Sequence, residues 1–217
     1  MINLNNRHLF LFGGSPPFTS SLGKMFADFS LNQNGKIAVL FLERDGWKDY
    51  MKKYTCVLED NYINEYVYLP LNSNPVNRII VELKSCTGII IGGGKTEHYR
   101  DYIVDTSIGE CVREQYKKGV PVAGFSAGAL ICPADCVIPP IDNSKAEHLF
   151  LGGLGLIEEC VISVHFSKWE EKGNLNKAME RVNVPIGYGI DDEAGLYFEN
   201  ETFIKDEGGS YTFTKKN

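Results

Sequence analysis

Hydrophobic residues in this chain fall in short runs that alternate with stretches of helical spacing. His8–Phe12 (HLFLF), 36–42 (KIAVLFL), 65–69 (EYVYL), 87–91 and 120–125 are apolar and rich in branched or aromatic residues. Runs this short, bounded by Gly, Pro or Asn, read as strands buried on both faces. Between them, 19–31, Trp47–Glu59, 77–84, 97–104 and 108–118 carry helical periodicity; Met51, Tyr54 and Leu58, for example, share one face. Further on, 136–140 reads as a short extended piece and 142–149 as a polar loop. Cys160–Val164 (CVISV) and 185–190 (PIGYGI) read as strands around a helix within 169–181. Residues 195–213 alternate and contain Gly208-Gly209, the pattern of a terminal hairpin. Strand–helix alternation of this kind predicts an α/β fold. The expected form is a three-layer sandwich with a mainly parallel sheet flanked by helices and a C-terminal β-hairpin. Nothing in the 217 residues reads as a linker, so the expectation is one domain over 1–217.

Composition narrows the function. Hydrophobic residues make up 43% and charged residues 23%, enough for a sizeable core. A net charge of −6 without a basic run argues against nucleic acid as a partner. No leader and no membrane-spanning run is read, so the expectation is a cytoplasmic protein without a membrane partner. Six scattered cysteines lack metal-ligand spacing and are expected as buried free thiols, with neither metal nor cofactor.

Candidate chemistry collects at strand ends, where open parallel sheets place their functional groups. The strand at 120–125 runs directly into Ser126, and Gly124, Ser126 and Gly128 meet the spacing G-x-S-x-G. A serine on a sharp strand-to-helix turn is built as a nucleophile elbow, with backbone N–H groups available for an oxyanion. A helix-capping serine is the alternative use of that turn. The strand at 87–91 ends in Gly92-Gly93-Gly94, followed by Lys95-Thr96; neither the P-loop nor the dinucleotide glycine spacing is met. His165 ends the strand Cys160–Val164, whereas His8 starts a strand, His98 follows the glycines and His148 lies in a polar stretch expected to be exposed. Asp191, Asp192 and Glu193 end the strand at 185–190. A serine nucleophile needs a base, and the base a carboxylate, and these residues occur in that order.

The pieces IIIGGGKT (89–96), GFSAGALICP (124–133), VHF (164–166) and GYGIDDEAGL (187–196) resemble the peptidase S51 family, which contains peptidase E and cyanophycinase. That resemblance implies a fold like class I glutamine amidotransferases. It also implies Ser126 as nucleophile, His165 as general base, and Asp192, or alternatively Glu193, as the third member. The oxyanion donors would be the N–H groups of Gly93 and Ala127; Gly94, Lys95 and Phe166 would contact substrate. The implied activity is a serine peptidase, a peptidase E-like dipeptidase acting on small peptides as a monomer or homodimer. Hydrolysis of branched Asp peptides and a non-catalytic binding role are the competing readings. Lys95 stands where relatives often carry Asn, and Asn174 where an arginine is expected, so aspartyl specificity does not follow from the motifs.

Overall fold

The computed structural model describes residues 6–32 and 34–215. The first half of the chain alternates strand and helix: β1 (His8–Phe12), α1 (Ser20–Leu31), β2 (Lys36–Phe41), α2 (Trp47–Glu59), β3 (Glu65–Pro70) and α3 (Val76–Ser85). β4 (Gly88–Ile91), α4 (Thr96–Ile103), α5 (Ser107–Lys117), β5 (Val122–Phe125) and the single turn α6 (Ala127–Leu130) follow. The second half holds β6 (Asp135–Ile138), β7 (Leu149–Gly152), β8 (Cys160–Val164), α7 (Lys172–Val182), β9 (Ile186–Ile190), β10 (Gly195–Glu199), β11 (Thr202–Glu207) and β12 (Ser210–Thr214).

Seven strands form the central sheet in the order β11-β10-β1-β5-β4-β2-β3. β1, β5, β4, β2 and β3 run parallel; β10 and β11 close one side antiparallel. Side chains alternate across this sheet as the pleat requires. Leu9 and Leu11 of β1 face one apolar cluster with Leu40, Ile89, Ile91 and Val122. Phe10 and Phe12 face the other, with Val39, Ile90 and Phe125. α1 and α2 cover the phenylalanine face and α3 and α5 the leucine face, which yields the three layers. Phe12 and Phe125 stack at 4.5 Å between centroids, coupling the ends of β1 and β5.

Three expectations change in the structure. The strands β8 and β9 leave the central sheet and form a second sheet in the order β12-β9-β8, covered by α7. The reason is that β10 pairs antiparallel along β1 and takes the edge they would have needed. Within 195–213 the hairpin is β10–β11, turning at Asn200-Glu201, while Gly208-Gly209 lead to a third strand that crosses to β9. The polar loop expected at 142–149 is shorter: Leu149–Gly152 pairs antiparallel with β6. Among the described residues no helix is long and apolar enough to cross a membrane. All six cysteines are free; burial pushes the thiols of Cys136 and Cys160 up to about 12.

The start of α1 receives its cap from far along the chain. The Thr19 side chain makes no capping bond; instead the Glu207 carboxylate accepts from the N–H groups of Ser21 (3.0 Å) and Leu22 (3.0 Å). Burial alone would raise the Glu207 carboxyl, but the neighbouring Thr19 hydroxyl, these N–H groups and nearby Lys205 together hold it below its ordinary value. A carboxyl depressed on folding contributes stability above its unfolded pKa and loses it as pH falls. Glu207→Ala should therefore cost about 1 kcal/mol in urea unfolding at neutral pH. That gap should narrow as pH falls below the carboxyl's unfolded value and through its depressed folded value, and close only once it is protonated in both states.

Candidate active site

Ser126 follows β5 with φ 48° and ψ −107°, in the region that L side chains rarely adopt. Strain of this kind, about 1–3 kcal/mol, persists only where neighbours hold it. The Ser126 N–H donates to the Phe12 carbonyl at 2.9 Å, and Gly128 N–H to the Gly92 carbonyl at 3.1 Å. A Cβ at Gly128 would sit 2.2 Å from the Ile91 carbonyl oxygen, so only glycine lets α6 pack this closely on the end of β4. The Ala127 N–H has no acceptor among the described residues.

Facing the serine hydroxyl, His165 Nε2 lies 2.9 Å from Ser126 Oγ. The other ring nitrogen, Nδ1, is hydrogen-bonded to the Asp192 carboxylate. The second oxygen of Asp192 accepts from Lys168 Nζ at 3.2 Å. Burial would raise the Asp192 carboxyl, but the bonds from His165 and Lys168 outweigh it and hold it below its ordinary value. The His165 ring packs against Trp169, 4.3 Å between centroids. The imidazole is thus fixed by a carboxylate on one side and an indole on its face.

These groups come from two sheets, and the end of β1 joins them. Phe12 accepts from Ser126, and the Gly13 carbonyl accepts from the His165 N–H at 3.0 Å. A Cβ on Gly13 would lie 2.2 Å from the Ile190 carbonyl oxygen, and one on Gly14 would lie 2.3 Å from that of Asp192. The backbone of β1 therefore touches the chain at all three groups.

A hydroxyl, an imidazole and a carboxylate in series can activate a serine for attack on a carbonyl. The peptidase family S51 model matches residues 9–205. This chain belongs to peptidase family S51. A cyanophycinase from Trichormus variabilis (strain ATCC 29413 / PCC 7937) is 26% identical over 141 residues, 63% of this chain and 47% of the relative. The chain thus spans about half the length of the curated relatives it matches. A cyanophycinase from Geminocystis herdmanii (strain PCC 6308) is 25% identical over 127 residues, 57% of this chain and 47% of the relative. Two crystal structures share the fold. A peptidase from an acI-B1 Actinobacterium superposes with TM-score 0.70 at 18% identity, over 91% of this chain and 86% of its own. A putative peptidase E from Listeria monocytogenes EGD-e superposes with TM-score 0.67 at 18% identity, over 97% and 100%.

The remaining family positions separate in the S51 structure. Glu193 is exposed and makes no hydrogen bond to His165; the adjacent Asp192 holds that place. Gly93 lies against the serine, since a Cβ there would be 3.4 Å from Ser126 Cβ. Its N–H donates to the Tyr54 hydroxyl at 3.0 Å, and its carbonyl accepts from the Tyr99 hydroxyl at 3.1 Å. Burial pushes both phenols well above their ordinary value, so both stay neutral. Gly94 and Lys95 line a cavity of about 450 Å³. Phe166 does not reach the cleft: in the turn after β8 its ring is buried against Tyr211 and Phe213, in the cluster covered by α7. His98 lines the cavity rather than contacting the serine, and His8 is stacked on Phe29 in the core. His148 is half-buried, with Nε2 unpartnered, rather than exposed.

Trp169, Tyr54 and Tyr99 were not legible as site residues, nor was the bond of Lys168 to Asp192. Tyr54 lies on the apolar face of α2 and reads as core, and nothing local shows that its hydroxyl ends on the glycine loop.

Gly13→Ala tests the junction. The added methyl meets backbone, which cannot yield as a flexible side chain does, so unfolding free energy should fall by roughly 1–3 kcal/mol. The loss should appear in urea titration, and the Ser126–His165 contact should lengthen in a crystal structure of the variant.

Proposed function

We propose that this protein is a serine hydrolase of amide bonds in small peptides, a peptidase E-like dipeptidase. The observation that carries the reading is Ser126 Oγ at 2.9 Å from His165 Nε2, with Asp192 on the opposite nitrogen. His165 Nε2 accepts the hydroxyl proton as Ser126 Oγ attacks the scissile carbonyl. Asp192 accepts the Nδ1 proton in a hydrogen bond, which selects the tautomer and stabilises the imidazolium that forms. The open Ala127 N–H stabilises the tetrahedral oxyanion, worth about 3–4 kcal/mol for one good donor. Gly93 contributes the second donor once substrate draws its N–H from Tyr54. His165 then protonates the leaving amine, and a water activated by the same base releases the acyl group.

All three groups come from one chain, so the chemistry asks for no second subunit. Free thiols throughout suit a reducing cytoplasm. Hydrolysis of branched Asp-containing peptides is the second reading, favoured by the 26% identity to a cyanophycinase.

Ser126→Ala should abolish turnover of every peptide in a dipeptide panel that the parent cleaves, with an unchanged circular dichroism spectrum. Asp192→Asn should lower kcat by roughly four orders of magnitude, because the imidazole then sits in the wrong tautomer. Retained turnover in Ser126→Ala, or undiminished kcat in Asp192→Asn, would contradict the assignment; Ser126→Ala is decisive. Cleavage of a branched Asp-Arg peptide in preference to all linear dipeptides would favour the second reading.

A further inference from the structure

The cavity of about 450 Å³ beside the glycine loop has walls the proposed chemistry does not use. Phe41, Trp47, Tyr50, Tyr54, Tyr99 and Tyr102 supply six aromatic rings, and Leu42 and Met51 add apolar lining. Gly93 and Gly94 complete the lining, and a Cβ on Gly93 would lie 3.4 Å from Ser126 Cβ. The volume lies within the usual range for small-molecule sites. Aromatic side chains prefer such walls, because offset and edge-to-face ring pairs add to simple burial.

The charges on this cavity are uneven. Arg44 and Lys95 both line it, and neither forms an ion pair among the described residues. The Arg44 guanidinium sits 5.0 Å from the Tyr50 ring centroid, and its charge is felt at the Tyr54 and Tyr99 hydroxyls. The one carboxylate of the lining, Glu43, is already held by Trp47 Nε1 at 3.0 Å and by the Ser73 hydroxyl. Asp45 and Asp49 belong to the adjoining groove formed by residues 43–49. An aromatic box with two free cations matches one unit of peptide chemistry: a C-terminal aromatic residue with its free carboxylate.

We infer that this cavity holds the leaving residue of the substrate, a C-terminal aromatic amino acid whose carboxylate lies on Arg44 and Lys95. The inference rests on the Ser126 reading above. The amide nitrogen of that residue is then the leaving amine that His165 protonates, and the product released from the cavity is a free aromatic amino acid. Lys95, which departs from the family pattern, acquires a role here.

The test uses a dipeptide series with one acyl residue and a varied C-terminal residue: Phe, Tyr, Leu, Ala and Asp, each as free acid and as amide. Phe and Tyr should exceed Ala and Asp by at least roughly tenfold in kcat/KM. Amidating Phe should cost a similar factor. Arg44→Ala, an exposed position, should reduce turnover of the free acid more than of the amide, and Tyr102→Ala should narrow the gap between Phe and Ala. A panel indifferent to ring and carboxylate, in an enzyme that Ser126→Ala inactivates, would overturn the cavity assignment and leave the nucleophile standing. Retained turnover in Ser126→Ala would overturn the nucleophile, and the inference with it.

Discussion

The site depends on one close approach. At the end of β1, Gly13 and Gly14 lie against the backbone of Ile190 and Asp192 with no room for a Cβ. Phe12 and Gly13 accept hydrogen bonds from Ser126 and His165 on either side. Two sheets that share no strand pairing are thereby locked at their carboxyl ends. A serine at φ 48° and a histidine at φ 49° are held in place by this junction. Backbone contacts set the geometry, so it does not rely on flexible side chains.

Electrostatics then divide the labour. Asp192 is shared between His165 and Lys168, which keeps it ionised and available to the imidazole. The glycine loop is governed by neutral groups: two buried phenols whose ionisation burial opposes. Tyr54 accepts from one side of the Gly93 peptide and Tyr99 donates to the other. The glycine loop is thus gripped at both the N–H and the carbonyl of Gly93.

Much of this was legible from local pattern. Short β-branched runs announced the central strands, and the Gly-Phe-Ser-Ala-Gly stretch announced the turn at Ser126. His165 and Asp192 stood out because each ends an apolar strand. What stayed hidden depends on contacts distant in sequence. That β8 and β9 form their own sheet follows from β10 occupying the edge of β1, which no periodicity encodes. Glu207 capping α1, across more than half the chain, has no local signature. Phe166 sits next to the histidine in sequence, yet in the turn that follows β8 its ring packs against Tyr211 and Phe213. Between Asp192 and Glu193 the family motif favoured Asp192, and Asp192 is the residue hydrogen-bonded to His165.

The central claim is that Ser126 is an activated nucleophile. Its most direct test is covalent labelling of the folded protein with a fluorophosphonate, followed by mass spectrometry of the digested adduct. The account predicts one phosphonyl group per chain, attached to the peptide that contains Ser126, with labelling slowed sharply in His165→Ala. A folded protein that remains unmodified, or that is modified elsewhere, would contradict it.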